Sequence, residues 1–439
     1  MGFAQIFAIV VFLVAMALII SEKVNRAVVA VVGAVLLQLF HVVDFHEVVS
    51  HTTEKSGELG ESLIDWNTLG VLLGMMLFVA VVKETGLFEF LAIHTAKMAK
   101  GNPWRVMMLF MVLTAILSAF LDNVTTVLLI GPMTFTICEL LDEEVIPFFI
   151  FEILASNIGG TATLIGDPPN IMIGSQAHIG FADFLKYNGP VVVILMIVLI
   201  GIAYLMYGRK MTVNAEKQKL VMELEPLVEH RSKMILSVVM LVVVVFAFMF
   251  HATLGVESSV VALSAAGFML LLSGADVVKA LHNVEWTTLV FFGGLFIIVG
   301  GMKVTGTIEA IGNGLVQVTG GNVFATMILL VVASAVISAF LDNIPFVATM
   351  IPIITAMEAS GQMDGDIAPL WWALSLGACL GGNGSLIGAS ANVVLADIST
   401  KHGHPISFMK FTKIGFPIML VTVVISAIYL VLLYQFQLF

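Results

Sequence analysis

Two carboxylate and amide pairs stand inside apolar sequence. Asp122 and Asn123 lie in SAFLDNVTT (118–126), between MMLFMVLTAIL and VLLIGPMTF, and Asp342 and Asn343 lie in SAFLDNIPF (338–346), 220 residues further on. A carboxylate at such a place can hold a cation or a proton, and an ionisable residue at membrane depth reads as functional by default. Asp and Asn are also favoured helix N-caps. The recurrence of the pair in a second copy weighs toward a site. Two Gly-rich stretches recur as well, SNIGGTATLIGDPPN (156–170) and GACLGGNGSLIGASAN (377–392). Their Ser, Thr and Asn residues bring hydroxyls, amides and backbone carbonyls within reach of a small solute. Hard oxygen ligands of this kind suit Na⁺ or a proton-coupled site better than a soft metal. Asp167 precedes Pro168 and reads equally as a ligand and as the cap of a helix with proline at its first position. At an offset of 222 its counterpart is Ala389, so the set is not symmetric.

The elements that must position these residues are membrane helices. The chain is 59% hydrophobic and 11% charged, with a mean hydropathy of +1.07, and several apolar runs reach the roughly 20 residues that span a bilayer. Helices are expected near 4–20, 27–43, 67–82, 189–207, 234–250, 257–273, 287–302 and 414–435. Between them lie two paired runs, 104–138 and 322–357, which read as re-entrant hairpins. Two Gly- or Pro-broken runs, 146–174 and 369–398, read as interrupted crossings. The first apolar run lacks a basic flank and a cleavage pattern and is expected to stay as a helix.

Charge then orients the chain. If each paired run returns to its own side and each broken run crosses once, sixteen of the 19 Lys and Arg fall on one side, against Lys55, Lys186 and Lys303 on the other. The basic side is therefore expected to be cytoplasmic, in a plasma (inner) membrane, with both termini extracytoplasmic. The expected units are a first repeat over 1–208, a cytoplasmic linker over 209–233 and a second repeat over 234–439. IDWNTLGVLLGMMLFVAVVKETG (64–86) aligns with VEWTTLVFFGGLFIIVGGMKVTG (284–306) at the same offset of 220. An odd number of crossings separates the two Trp that open these segments, so the second repeat is inverted. Inverted repeats with broken segments at matching positions mark an alternating-access transporter with its site between the halves.

These motifs resemble the ion transporter superfamily, the group of arsenite permeases and sodium/proton antiporters, and within it the melanosomal P protein branch, over nearly the whole chain. The resemblance implies an all-α polytopic fold of two inverted repeats, a homodimer, and a mobile transport domain that moves as an elevator. It implies a binding set of Asn123, Thr125, Ser156, Asn157, Thr161, Asn170, Asn343, Asn383, Ser385 and Asn392. Asp122, Asp167 and Asp342 would carry charge, and Na⁺ would sit at Asp122, Asn123, Asp342 and Asn343. Where the dicarboxylate branch has Ser-Asn-Thr at its hairpin tips, this chain has Asp-Asn-Val and Asp-Asn-Ile. The added carboxylates repel a dianion by a few kcal/mol, on the order of the Coulomb energies of close charge pairs. Cation/proton antiport is therefore favoured over citrate-like substrates. Arsenite efflux, anion transport and a passive channel are the alternatives.

Other classes are disfavoured. The net charge of −11 argues against nucleic acid as a partner. No H-E-x-x-H or G-x-S-x-G pattern supports an intramembrane enzyme. Cys138 and Cys379 lack ligand-type neighbours and read as packing residues, as do the Met-rich faces. No cofactor is expected beyond Na⁺ or H⁺ as the coupling ion.

Overall fold

A computed structural model describes residues 2–21, 23–49, 62–225 and 231–439. Lys55, one of the three basic residues assigned to the second side, lies outside them. The described chain is all helix, with no strand. Among the described residues, eight helices are long and apolar enough to cross a membrane, including Phe3–Ser21, Trp66–Lys83, Arg231–Phe250, Trp286–Val304 and Phe408–Gln435. A helix satisfies most of its backbone internally, which a bilayer demands of any span.

The expected hairpins form. Pro103–Phe120 turns at Leu121 and Asp122 into Asn123–Leu141, and Val323–Ser338 turns at 339–342 into Asn343–Ala359. The entry caps match, since Asn102 accepts from the Arg105 amide at 3.0 Å and Asn322 from the Ala325 amide at 2.8 Å. The breaks form too: Val145–Gly160 is followed across a loop by Pro168–Ala177, and Ala368–Gly381 by Ser390–Lys401.

The two copies fix their loops by the same bonds. Ser118 donates to the Ser156 carbonyl at 2.8 Å, and Ser338 to the Ala378 carbonyl at 2.7 Å. Thr163 donates to the Ala119 carbonyl, and Ser385 to that of Ala339. Asn170 folds back on the carbonyls of Gly160, Thr161 and Thr163 at 3.0–3.4 Å, and Asn392 on those of Gly382 and Ser385 at 2.7 and 2.9 Å. Apart from the bond of Asn170 to the Thr161 carbonyl, each bond has its counterpart at an offset of 220 or 222, so the repeat seen in the letters is largely a repeat of contacts.

Two helix pairs cross between the halves. Trp66–Lys83 packs against Ser258–Ser273, and Arg26–Leu39 against Trp286–Val304. Both crossings are made by glycines at equivalent positions. A Cβ on Gly74 would lie 2.5 Å from the Ala262 carbonyl carbon, and one on Gly294 would lie 2.6 Å from that of Ala30. Small residues that let backbones approach are the usual adhesive between helices in lipid.

The sequence reading did not place several short helices. Leu87–Met98 and Thr307–Thr319 follow the two crossing helices, each entered through a left-handed glycine, Gly86 at φ 75° and Gly306 at φ 74°. Thr307–Thr319 meets the next hairpin arm at a bend of 114°. Ala215–Glu223 lies within the basic linker.

Candidate ion site

The two hairpin tips and the two broken-helix loops converge, and four helix N-termini converge with them. Three of these N-termini carry a carboxylate at the cap position: Asp122 before Asn123–Leu141, Asp167 before Pro168–Ala177, and Asp342 before Asn343–Ala359. The fourth, Ser390–Lys401, begins after Ala389. An anion is stabilised at such a place by the helix dipole and the free amides.

Asp122 both caps a helix and lines a cavity. Its Oδ1 accepts from the Thr125 amide at 2.8 Å and its Oδ2 from the Thr125 hydroxyl at 2.5 Å, which is a helix cap. The same side chain lines a small cavity of about 20 Å³ with Asn123, Asp167, Glu285, Asn343, Arg26 and Ser390. That volume is about one water molecule or one small ion. Asp167, 1% exposed, makes no capping bond with its side chain. It instead accepts from the Asn343 amide at 3.2 and 3.3 Å. Asp342 differs again. Its Oδ1 accepts from the Ile344 amide at 3.1 Å, while its Oδ2 accepts from Arg26 at 3.1 Å and from Ser390 at 2.9 Å.

The other residues of the expected set are placed behind the cavity. Ser156, Asn157, Thr161, Asn170, Asn383, Ser385 and Asn392 are fully buried. Asn157 donates at 2.9 Å to Asn383 and at 2.9 Å to Asn392, and accepts from Asn123 at 3.2 Å. These amides tie the broken helix of one repeat to that of the other. Ser156 bonds Ser118 and the Asn123 carbonyl, Thr161 bonds the Asn157 carbonyl, and Ser375 donates to Asn170 at 2.7 Å. Thr125 is engaged by Asp122.

Three contributors were not singled out from sequence. Glu285 lines the cavity and accepts from Thr288 at 3.2 Å. Its signal was present, since it aligns with Asp65 at the offset of 220. Arg26 donates to Asp342, to Ser390 at 2.6 Å and to Thr288 at 3.3 Å, and lies over the Phe291 ring at 5.2 Å. In sequence it is one more basic residue at a helix end. Ser390 is aligned with Pro168, and its hydroxyl has no counterpart there.

Larger cavities flank the small one. One of about 280 Å³ is lined by Ile19, Val24, Asn25, Arg26, Asp342 and Ser390, at the basic helix ends. Another, of about 390 Å³, is lined by Asp65, Gln176, Lys303, Asn313 and Ser360 at the opposite ends. The first of these shares Arg26 and Ser390 with the small cavity. Four carboxylates, Asp122, Asp167, Asp342 and Glu285, line the small cavity or the 280 Å³ one beside it, against one guanidinium and four helix N-termini, each of the latter worth roughly half a positive charge. About one negative charge remains.

The chain is similar to known proteins. The family described as citrate transporter, CitMHS, matches residues 16–377. An uncharacterized transporter of Mycobacterium tuberculosis is 42% identical over 435 residues, 98% of this chain and 99% of that protein. The human P protein is 32% identical over 94% of this chain and 58% of its own length. The crystal structure of the Alcanivorax borkumensis YdaH transporter, reported for its unusual topology, aligns with a TM-score of 0.63 at 15% identity, over 94% of this chain and 99% of that one. The chain is thus a multi-pass membrane transporter, and it belongs to the CitMHS family of the ion transporter superfamily.

Proposed function

We propose that the protein exchanges a small cation for protons, with Asp122 and Asp342 as the loading sites and Asp167 and Glu285 completing the negative centre. The observation that carries this reading is the 20 Å³ cavity bounded by Asp122, Asp167 and Glu285, with Asp342 on the adjoining 280 Å³ cavity. A bare ion, a water or a proton fits it, and a carboxylate substrate meets both its size and its charge as barriers.

The coupling follows from electrostatics. An unloaded carboxylate is costly to move through an apolar surround. A proton neutralises it, and so does a cation, but the two compete for the same oxygens. A transport unit of hairpins and broken helices that crosses only when neutralised, as an elevator does, then carries one or the other in each direction. The result is antiport. Among the described residues no group of three His, Cys, Asp or Glu side chains forms a metal-ligating cluster. A cation would take its remaining ligands from the amides of Asn123 and Asn343 and from the tip backbone.

Anion transport is the second reading. It is favoured by Arg26, by the four convergent helix N-termini and by the family's description as citrate transporters. One assay separates the two. In proteoliposomes with a trapped pH dye and a clamped potential, antiport predicts proton movement on addition of Na⁺, Li⁺ or K⁺, lost in Asp122→Asn. Silence to all three cations together with saturable uptake of labelled citrate would replace antiport with the second reading.

A further inference from the structure

We propose that Arg26 is a tethered competitor for the transported cation, occupying the Asp342 carboxylate until an ion arriving from the basic-side cavity displaces it. The proposal rests on the antiport reading and adds a residue that sets its affinity.

The two hairpin tips are equivalent in sequence and unequal in their partners. Asp122 bonds only its own helix start, through Thr125. Asp342 keeps one oxygen for its helix start and gives the other to Arg26 and Ser390. Arg26 opens the helix Arg26–Leu39, which packs against Trp286–Val304 and lies outside the hairpin. The ion pair therefore joins two parts that an elevator would move past each other. Its counterpart in the other half is absent. There, at the start of Ser258–Ser273, the equivalent position is Ser258, which bonds Asn67 at 3.1 Å.

Position makes the pair a barrier as well as a bond. Arg26 and Ser390 line both the 280 Å³ basic-side cavity and the 20 Å³ centre, while Asp342 faces the first and Asn343 the second. The guanidinium is the partition between them. Thr288 and the Phe291 ring hold its plane, with Glu285 behind Thr288. Side chains of the pair are 29% and 16% exposed, so solvent reaches them from the cavity and exchange is open to an incoming ion. A cation that binds Asp342 must first free it, and an apparent affinity falls by the fraction of molecules in which the site is free. If Arg26 holds Asp342 in about nine molecules of ten, that penalty is about tenfold.

The test is the cation concentration that gives half-maximal proton release in proteoliposomes, measured for the wild type, Arg26→Gln and Arg26→Lys. The thermal midpoint of each purified protein is followed with and without the cation. Arg26→Gln is expected to lower the half-saturating concentration about tenfold. Arg26→Lys keeps the charge but not the planar fork that reaches three partners, so its value should fall between the other two. If Arg26 only braces the fold, Arg26→Gln lowers the midpoint equally with and without cation and leaves half-saturation unchanged, which overturns the proposal. A half-saturating concentration that rises overturns it too, because Arg26 would then be helping to hold the transported species. Should Arg26→Gln fail to fold, Arg26→Lys carries the test, and an unchanged value there rejects competition. A wild type that moves no protons with any cation refutes antiport itself, and the competitor with it.

Discussion

At Asp122 the capping and loading roles separate under one substitution. Asn is as good an N-cap as Asp, so Asp122→Asn should keep the bond to the Thr125 amide and fold with a midpoint close to wild type. It removes the charge, and cation-dependent proton release should vanish. A folded Asp122→Asn protein with undiminished release would leave Asp122 as a cap alone. Asn157 makes the opposite prediction. It lines none of the cavities described above and sits in an amide cluster with Asn123, Asn383 and Asn392. Asn157→Ala strands buried partners whose cost is about 1 to 3 kcal/mol each. It should lower stability by about 3 kcal/mol, read as a reduced thermal midpoint, before any change in cation selectivity is measured.

At the scale of elements, the crossed helix pairs depend on two glycines. Gly74→Ala places a methyl 2.5 Å from the Ala262 carbonyl carbon and 2.6 Å from the Leu263 nitrogen. Backbone cannot rotate away as a side chain can, so the cost is expected at about 1 to 3 kcal/mol. Gly267→Ala is the control, because it lies on the partner helix Ser258–Ser273 with nothing within 4 Å of its Cβ. It should be neutral or slightly stabilising through helix propensity. Equal midpoints for the two variants would mean that the crossing tolerates separation. These elements were largely legible in the sequence, since an apolar run interrupted by SAFLDN or by a Gly-rich loop has few ways to satisfy its backbone in lipid. The short helices Leu87–Met98 and Thr307–Thr319 were not, because their mixed polar composition reads as connecting loop. Nor was the Arg26 to Asp342 bond, which joins residues 316 apart. Periodicity reports which face of a helix is apolar, not which distant helix meets it. Conversely, Asn157 and Asn392 were legible as special residues, but letters alone did not show that their bonds are spent on each other.

For the whole molecule, the described ion pairs bear on how the chain lies in the membrane. Lys279 meets Glu84 at 3.1 Å, Lys410 meets Glu144 at 3.4 Å, and Lys217 meets Asp142 at 2.5 Å. Each joins segments far apart in sequence, and each joins two segments that the charge distribution assigns to the basic side. Lys217 also holds the Asp142 carboxyl below its usual range, chiefly through their hydrogen bond. A lowered carboxylate contributes stability above its unfolded value that is lost as pH falls through the folded one. The linker's attachment should therefore loosen on acidification, and solvent screening keeps the effect small at so exposed a pair. Across the protein, Asn322 meets Asp364 at 2.8 Å, and Ser175 meets Asp65 at 2.9 Å, all on the side assigned few basic residues. Single cysteines at Lys219 and Lys186, both exposed, test that assignment from its two faces. Cys138 and Cys379 are buried and give little background. In intact cells an impermeant maleimide should label Lys186→Cys at once, and Lys219→Cys only after the membrane is opened. The reverse pattern would turn the molecule over. The 280 Å³ cavity beside Arg26 would then face outward, and the competitor would guard the outer entrance to the site instead of the inner one.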